Sequence, residues 1–379
     1  MKHHRGRHVD IESVEELDGH LAAGAGSLRG WRLRSLDLTS RTAALRETEL
    51  AGATFLGCKF APGDGDYAED EGALVMPVIP EAPVDVYRSR LYTAEELYDD
   101  PVYARSLDAR AYAWLQQPLG ADDELAITLH DHAIDAALEA WVRARRDESE
   151  RIVGVMGGHA LRRGEEAYAA AARLSQHLAS HHVVATGGGP GAMEAANLGA
   201  FLAGAPKTVL EDALETLATV PSFRPSVREW AQVALGVREG FEGRPGRSLG
   251  IPTWHYGHEP PNVFAGAIAK YFRNATREAV LLEVCDGGIV FLPGAGGTVQ
   301  EVFQDACENY YADTSAVAPM VLVGRSYWTE QLPVWPLLQA LARGRAMEGH
   351  VHLVDTAEEV LDVIRPEIRA EIRPASAPG

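Results

Sequence analysis

Two glycine-rich breaks limit what this chain can fold into. Each falls between a short apolar run and a stretch with helical spacing. In the first, Val183-Val184-Ala185 leads into Thr186-Gly187-Gly188-Gly189-Pro190-Gly191-Ala192-Met193, and an alanine-rich segment runs on to Ala203. In the second, Gly288-Ile289-Val290-Phe291 leads into Leu292-Pro293-Gly294-Ala295-Gly296-Gly297-Thr298, and Val302, Phe303 and Ala306 then recur on one side up to Tyr310. A short apolar run of this kind reads as a buried parallel strand. Strand, glycine turn, helix is therefore the predicted unit in both places. Glycine lets backbone N–H groups come close to a ligand, and a helix start adds partial positive charge, so each unit can seat a phosphate. Glu301 follows one turn into the second helix. A carboxylate beside a phosphate seat points to chemistry on the adjoining sugar.

GGGPGAM (Gly187 to Met193) resembles the GGGxGxM signature of the LOG family, and PGAGGTVQE (Pro293 to Glu301) resembles its PGGxGTxxE signature. That family was long labelled "lysine decarboxylase". The resemblance covers residues 150 to 365, and Glu259-Pro260-Pro261-Asn262 is similar to a segment of its larger bacterial nucleotide 5′-monophosphate nucleosidase branch. It implies an α/β, Rossmann-like, doubly wound parallel sheet. It also implies a phosphoribohydrolase that cuts the N-glycosidic bond of nucleoside 5′-monophosphates such as AMP or cytokinin riboside monophosphates.

Such a cleavage builds positive charge on the ribose, and a fixed carboxylate stabilises it. Glu301 is the candidate for that group, and for positioning or deprotonating the water. Arg277 matches the family's arginine by order along the chain, and the resemblance implies that it orients Glu301 and touches substrate. Arg273, one turn earlier, competes for that role, and a surface ion pair with Glu278 or Glu283 is the plain alternative. Gly187, Gly188, Gly189, Gly191, Gly294, Gly296, Gly297 and Thr298 are expected around phosphate and ribose. Met193 is expected near them, packed under the loop, and Asn262 either bonds substrate or caps a helix. Ala295 stands where the family has a second glycine, which is comfortable only at negative φ.

No metal or cofactor is expected. His255, His258 and Glu259 lack the zincin order, and Gly257 with two following prolines opposes a single helix face. Cys58, Cys285 and Cys307 form no CxxC pair. No lysine stands out for a Schiff base, Lys207 and Lys270 included, which disfavours decarboxylation. A net charge of −19 repels nucleic-acid polymers and anionic membranes, while a small phosphorylated ligand needs only local dipoles and an arginine or two. No apolar run reaches transmembrane length and the start lacks a secretory apolar core, so cytoplasm is the default. The family resemblance implies a homodimer or a multiple of one.

Of 379 residues, 46% are hydrophobic, enough for two domains. Residues 1–120 are expected to be an extension: a small β-rich cap plus helices. Within it Leu45, Leu50, Phe55 and Phe60 lie five apart, each preceded two places earlier by Ala43, Thr48, Ala53 or Cys58. That spacing resembles pentapeptide-repeat coils. Residues 121–366 are expected to be the Rossmann-like part, entered through a long amphipathic helix over Asp122–Arg146, and 367–379 a tail. Strands are predicted at Ile152–Met156, Val183–Ala185, Gly250–Trp254, Gly288–Phe291, Met320–Val323 and His352–Val354. Arg224 and Arg228, in an inserted helical pair, could reach a phosphate but read first as solvated. The rival function is a non-catalytic nucleotide sensor or molybdenum-cofactor carrier, against which the retained Glu301 argues.

Overall fold

The computed structural model describes residues 9–79, 81–255 and 259–364. His258 and the expected tail lie outside them. The N-terminal layer alternates β1 (Val9–Ile11), α1 (Val14–Ala22), β2 (Trp31–Arg34), α2 (Thr42–Glu47), β3 (Thr54–Leu56), α3 (Asp64–Asp70) and β4 (Leu74–Met76). Its four strands are parallel and stacked in chain order. Val9 pairs with Trp31, Arg32 with Thr54 and Thr54 with Leu74, so the coil repeats about every 22 residues. The five-residue spacing is therefore not the structural period. Leu45, Leu50 and Phe55 do point inward, but they do so from a helix, a loop and a strand in turn.

Three helices then lead to the second layer: α4 (Ala94–Leu97), α5 (Leu107–Leu115) and α6 (Ala121–Asp147). Asp122, Asp123 and Glu124 sit in the first turn of α6, and Arg145 and Arg146 in its last. Both ends thus complement the helix dipole. From Val84 onward the buried side chains belong to the larger core, whereas residues 11–68 form a separate one. The segment before residue 120 is thereby shared out: its first part folds on itself, and its second packs on the large sheet. Asp108 of α5 shows the attachment. It accepts from the Lys270 ammonium at 2.6 Å, the Trp254 indole at 2.8 Å and the Tyr103 hydroxyl at 2.7 Å. Lys270, ordinary by sequence, is only 1% exposed. A charge so buried is tolerable only with such partners.

The large sheet has seven parallel strands: β5 (Ile152–Met156), β6 (Val183–Thr186), β7 (Ser248–Gly250), β8 (Ala267–Ile268), β9 (Ile289–Phe291), β10 (Met320–Val323) and β11 (Val351–Val354). Their order is β11-β10-β9-β5-β6-β7-β8. Between them run α7 (Glu166–Leu178), α8 (Ala192–Phe201), α9 (Lys207–Ala218), α10 (Val227–Glu239), α11 (Asn274–Glu283), α12 (Gly296–Tyr311) and α13 (Val334–Ala342), and α14 (Ala357–Val363) follows β11. The fold is α/β, parallel and Rossmann-like. The chain builds outward from β5 to β8, then returns to lay β9 on the other side of β5. That reversal leaves a crevice at the carboxyl ends of β5 and β9, where open α/β sheets take ligands. No described helix is long and apolar enough to cross a membrane.

Candidate functional site

The loops at this crevice enclose a cleft of about 610 Å³. Gly157 to Leu161 follow β5 on one side, and Pro293 to Thr298 follow β9 on the other. Met193, Arg277, Glu278 and Glu301 complete the chemically important wall. Two regions more than 130 residues apart in sequence thus meet because their strands are neighbours.

The second glycine turn presents an open helix end. Ala295 is the residue before α12 and has φ −95°, so its methyl is accommodated. Gly296 and Gly297 are exposed, with no atom of the described residues within 4 Å of where a Cβ would lie. No acidic side chain occupies the first turn of α12, so the positive end of its dipole is not opposed there. Gly294 is different. A Cβ on it would lie 2.2 Å from the Thr298 hydroxyl oxygen, and the Tyr327 hydroxyl donates to its carbonyl at 2.8 Å. Gly294 and Thr298 therefore fold the turn tightly, and Gly296 and Gly297 leave the helix end open.

Glu301 lines the same cleft, half-buried. Burial pushes its carboxyl up to about 7; the Arg277 guanidinium opposes the rise and the Glu278 carboxylate adds to it. A group titrating near neutrality can both take and hold a proton. Arg277 comes from α11 and is 9% exposed. It donates from Nε to the Ile251 carbonyl at 2.8 Å and from Nη2 to the Gly187 carbonyl at 3.4 Å. It thus straps the first glycine turn to the chain beyond β7 while its charge acts on Glu301. Arg273 turns away, donating to the Thr128 hydroxyl at 2.9 Å.

The first glycine turn lies behind this wall rather than on it. Gly187, Gly188 and Gly189 are buried. A Cβ on Gly187 would lie 2.6 Å from Arg277 Nη2, and one on Gly188 2.6 Å from Pro252. The Met193 side chain packs under Gly187 and Gly189 and also reaches the cleft. Asn262 is fully buried. Its amide donates to the Gly189 carbonyl at 3.1 Å and the Asn197 side chain at 2.9 Å, and its oxygen accepts from the backbones of Phe264 and Ala265. Asn262 therefore holds the turn in place and has no access to the cleft. Gly191 sits where this turn meets the loop after β5. A Cβ there would lie 2.5 Å from the Gly158 carbonyl oxygen, and its φ is +74°.

Several lining groups were not expected at the site from the sequence. His159 lies 3.6 Å from Glu259 across the cleft mouth, and Glu278 and Tyr327 arrive from α11 and the segment after β10. Only Gly157-Gly158-His159 carried a signal, as a glycine break after an apolar run. Among the described residues no group of three His, Cys, Asp or Glu side chains is placed to hold a metal ion.

No protein-family model and no curated protein matches the chain. Solved structures do match. The molybdenum cofactor binding protein from Rippkaea orientalis is 18% identical, with a TM-score of 0.34 over 57% of this chain and 95% of that one. The molybdenum cofactor carrier protein from Chlamydomonas reinhardtii also gives 18% and 0.34, over 57% and 96%. TM1055 gives the same identity and score over 57% and 98%. At that score none of these likenesses bears on function.

Proposed function

We propose that the protein is a nucleoside 5′-monophosphate phosphoribohydrolase, releasing free base and ribose 5-phosphate. One observation carries the reading: Glu301 and the open end of α12 face one cleft. Gly296 and Glu301 are five residues apart on that helix, about 7.5 Å at 1.5 Å per residue. A pentose fits between a phosphate held at the helix end and the carboxylate.

In this scheme the backbone N–H groups of Gly296 and Gly297 take the 5′-phosphate. As the bond from C1′ to the base nitrogen lengthens, positive charge grows on the ring, and the Glu301 carboxylate stabilises it by about 2–4 kcal/mol. Water supplies the hydroxyl that bonds to C1′. Its proton passes to Glu301 and on to solvent, and the departing nitrogen takes a proton from solvent. Arg277 keeps enough of Glu301 ionised near neutral pH for this to occur, and Asn262 with the buried glycines keeps Arg277 in place.

The test is incubation of purified protein with a panel of nucleoside monophosphates, followed by chromatography for free base. Base release by the wild type, lost in Glu301→Gln while nucleotide still binds, supports the reading. Binding without release by the wild type would instead fit a nucleotide or molybdenum-cofactor carrier.

A further inference from the structure

A second cavity of about 260 Å³ adjoins the cleft and shares His159, Ala160, Leu161 and Glu259 with it. Its far wall comes from the link between α9 and α10, Pro221 to Arg224, and from Trp230. Three arginines line it, but they are not equivalent. Arg163 is 3% exposed and already committed. It grips Glu194 with two nitrogens, donates to the carbonyls of Val220 and Trp230, and lies 4.7 Å over the Trp230 ring. Arg162 and Arg224 are exposed, and neither has an ion-pair partner among the described residues. Phe223 stands beside Arg224, half-buried, with its ring edge-on to Trp230 at 6.3 Å. The cavity therefore combines an aromatic surface, two guanidinium groups that only donate and lack an ion-pair partner among the described residues, Arg224 lying 5.5 Å from the centre of the Phe223 ring, and the Glu259 carboxylate, which accepts.

Resting on the phosphoribohydrolase reading, we propose that this cavity seats the base and selects 6-oxopurines over adenine. A guanidinium suits the adjacent O6 and N7 acceptors of guanine or hypoxanthine, whereas adenine offers an amino donor at that edge. The 6-oxopurines also carry a ring N1–H that a carboxylate can accept, and adenine has none. Phe223 supplies the stacking face. Arg224 and Arg162 are the groups that read the base, and the inserted α9–α10 pair is what brings Arg224 to the site.

The test compares kcat/KM for GMP, IMP and AMP in the wild type, Arg224→Met, Arg162→Met and, as a distant control, Arg143→Met on α6. The expected wild-type preference for GMP and IMP over AMP is at least about tenfold, the discrimination one Arg–base pair supplies. That ratio falls about tenfold in Arg224→Met or Arg162→Met and is unchanged in Arg143→Met. Should one variant fail to fold, the other reads the same ratio. A wild-type preference for AMP, or a ratio unmoved in both variants, overturns the proposal. If no nucleotide loses its base, the hydrolase reading fails, and calorimetric Kd values still test the seat. Tighter GMP than AMP then upholds it, and equal or weaker GMP refutes it.

Discussion

Gly191→Ala tests whether the two glycine turns converge as the structure shows. The added methyl would lie 2.5 Å from the Gly158 carbonyl oxygen and 2.6 Å from that of His159. Both neighbours are backbone, so no side-chain rotation relieves the clash. Overpacking of this kind costs about 1–3 kcal/mol. The residue also sits at φ +74°, which costs a non-glycine residue about 1–2 kcal/mol more. Together the substitution should destabilise the fold by about 2–5 kcal/mol. Gly296→Ala is the matched control, since no atom of the described residues lies within 4 Å of its Cβ position; its change should stay within about 0.5 kcal/mol. Urea unfolding followed by circular dichroism measures both. A Gly191→Ala variant as stable as the control would refute the close approach of the first turn to the loop after β5.

Asp305 gives a pH test: it is 6% exposed, one oxygen has no hydrogen-bond partner among the described residues, and burial pushes its carboxyl up to about 8. The folded protein therefore keeps a proton that the unfolded chain releases, and stability falls as pH rises from about 4 towards 8, by up to about 1.4 kcal/mol per unit. Asp305→Asn should flatten that slope in urea titrations at pH 5 and 8. Arg163→Met would strand Glu194, itself 1% exposed, and should cost about 3–5 kcal/mol by the same unfolding assay. In the proposed hydrolysis Glu301 acts ionised, so kcat should climb with pH through about 7. Arg277→Met removes the charge that favours ionisation, and a kcat profile from pH 5.5 to 9 should show the rising limb moved to higher pH.

The large sheet was legible because its strands are apolar runs punctuated by glycine, and most lie where the sequence puts them. The expected Gly250–Trp254 strand is found at Ser248–Gly250, because Pro252 cannot donate to a ladder. The two-residue β8 was too short to carry a pattern. The N-terminal coil misled for a related reason. Its strands span three or four residues, so the 22-residue repeat is weaker than the five-residue spacing of its large side chains. At the site, Glu301 and the Gly294–Thr298 turn were visible as a local motif. The buried roles of Asn262 and Gly187–Gly189 were not, since sequence cannot tell a glycine that faces ligand from one that admits a neighbouring side chain. Glu278, Tyr327 and the Arg162–Arg224 wall come together only through the order of strands and the inserted helices.

The most direct measurement is a structure of the protein soaked with AMP or GMP. The account predicts the 5′-phosphate within hydrogen-bond distance of the Gly296 and Gly297 amides, with C1′ facing the Glu301 carboxylate. A nucleotide bound elsewhere, or one whose ribose leaves Glu301 without contact, would contradict it.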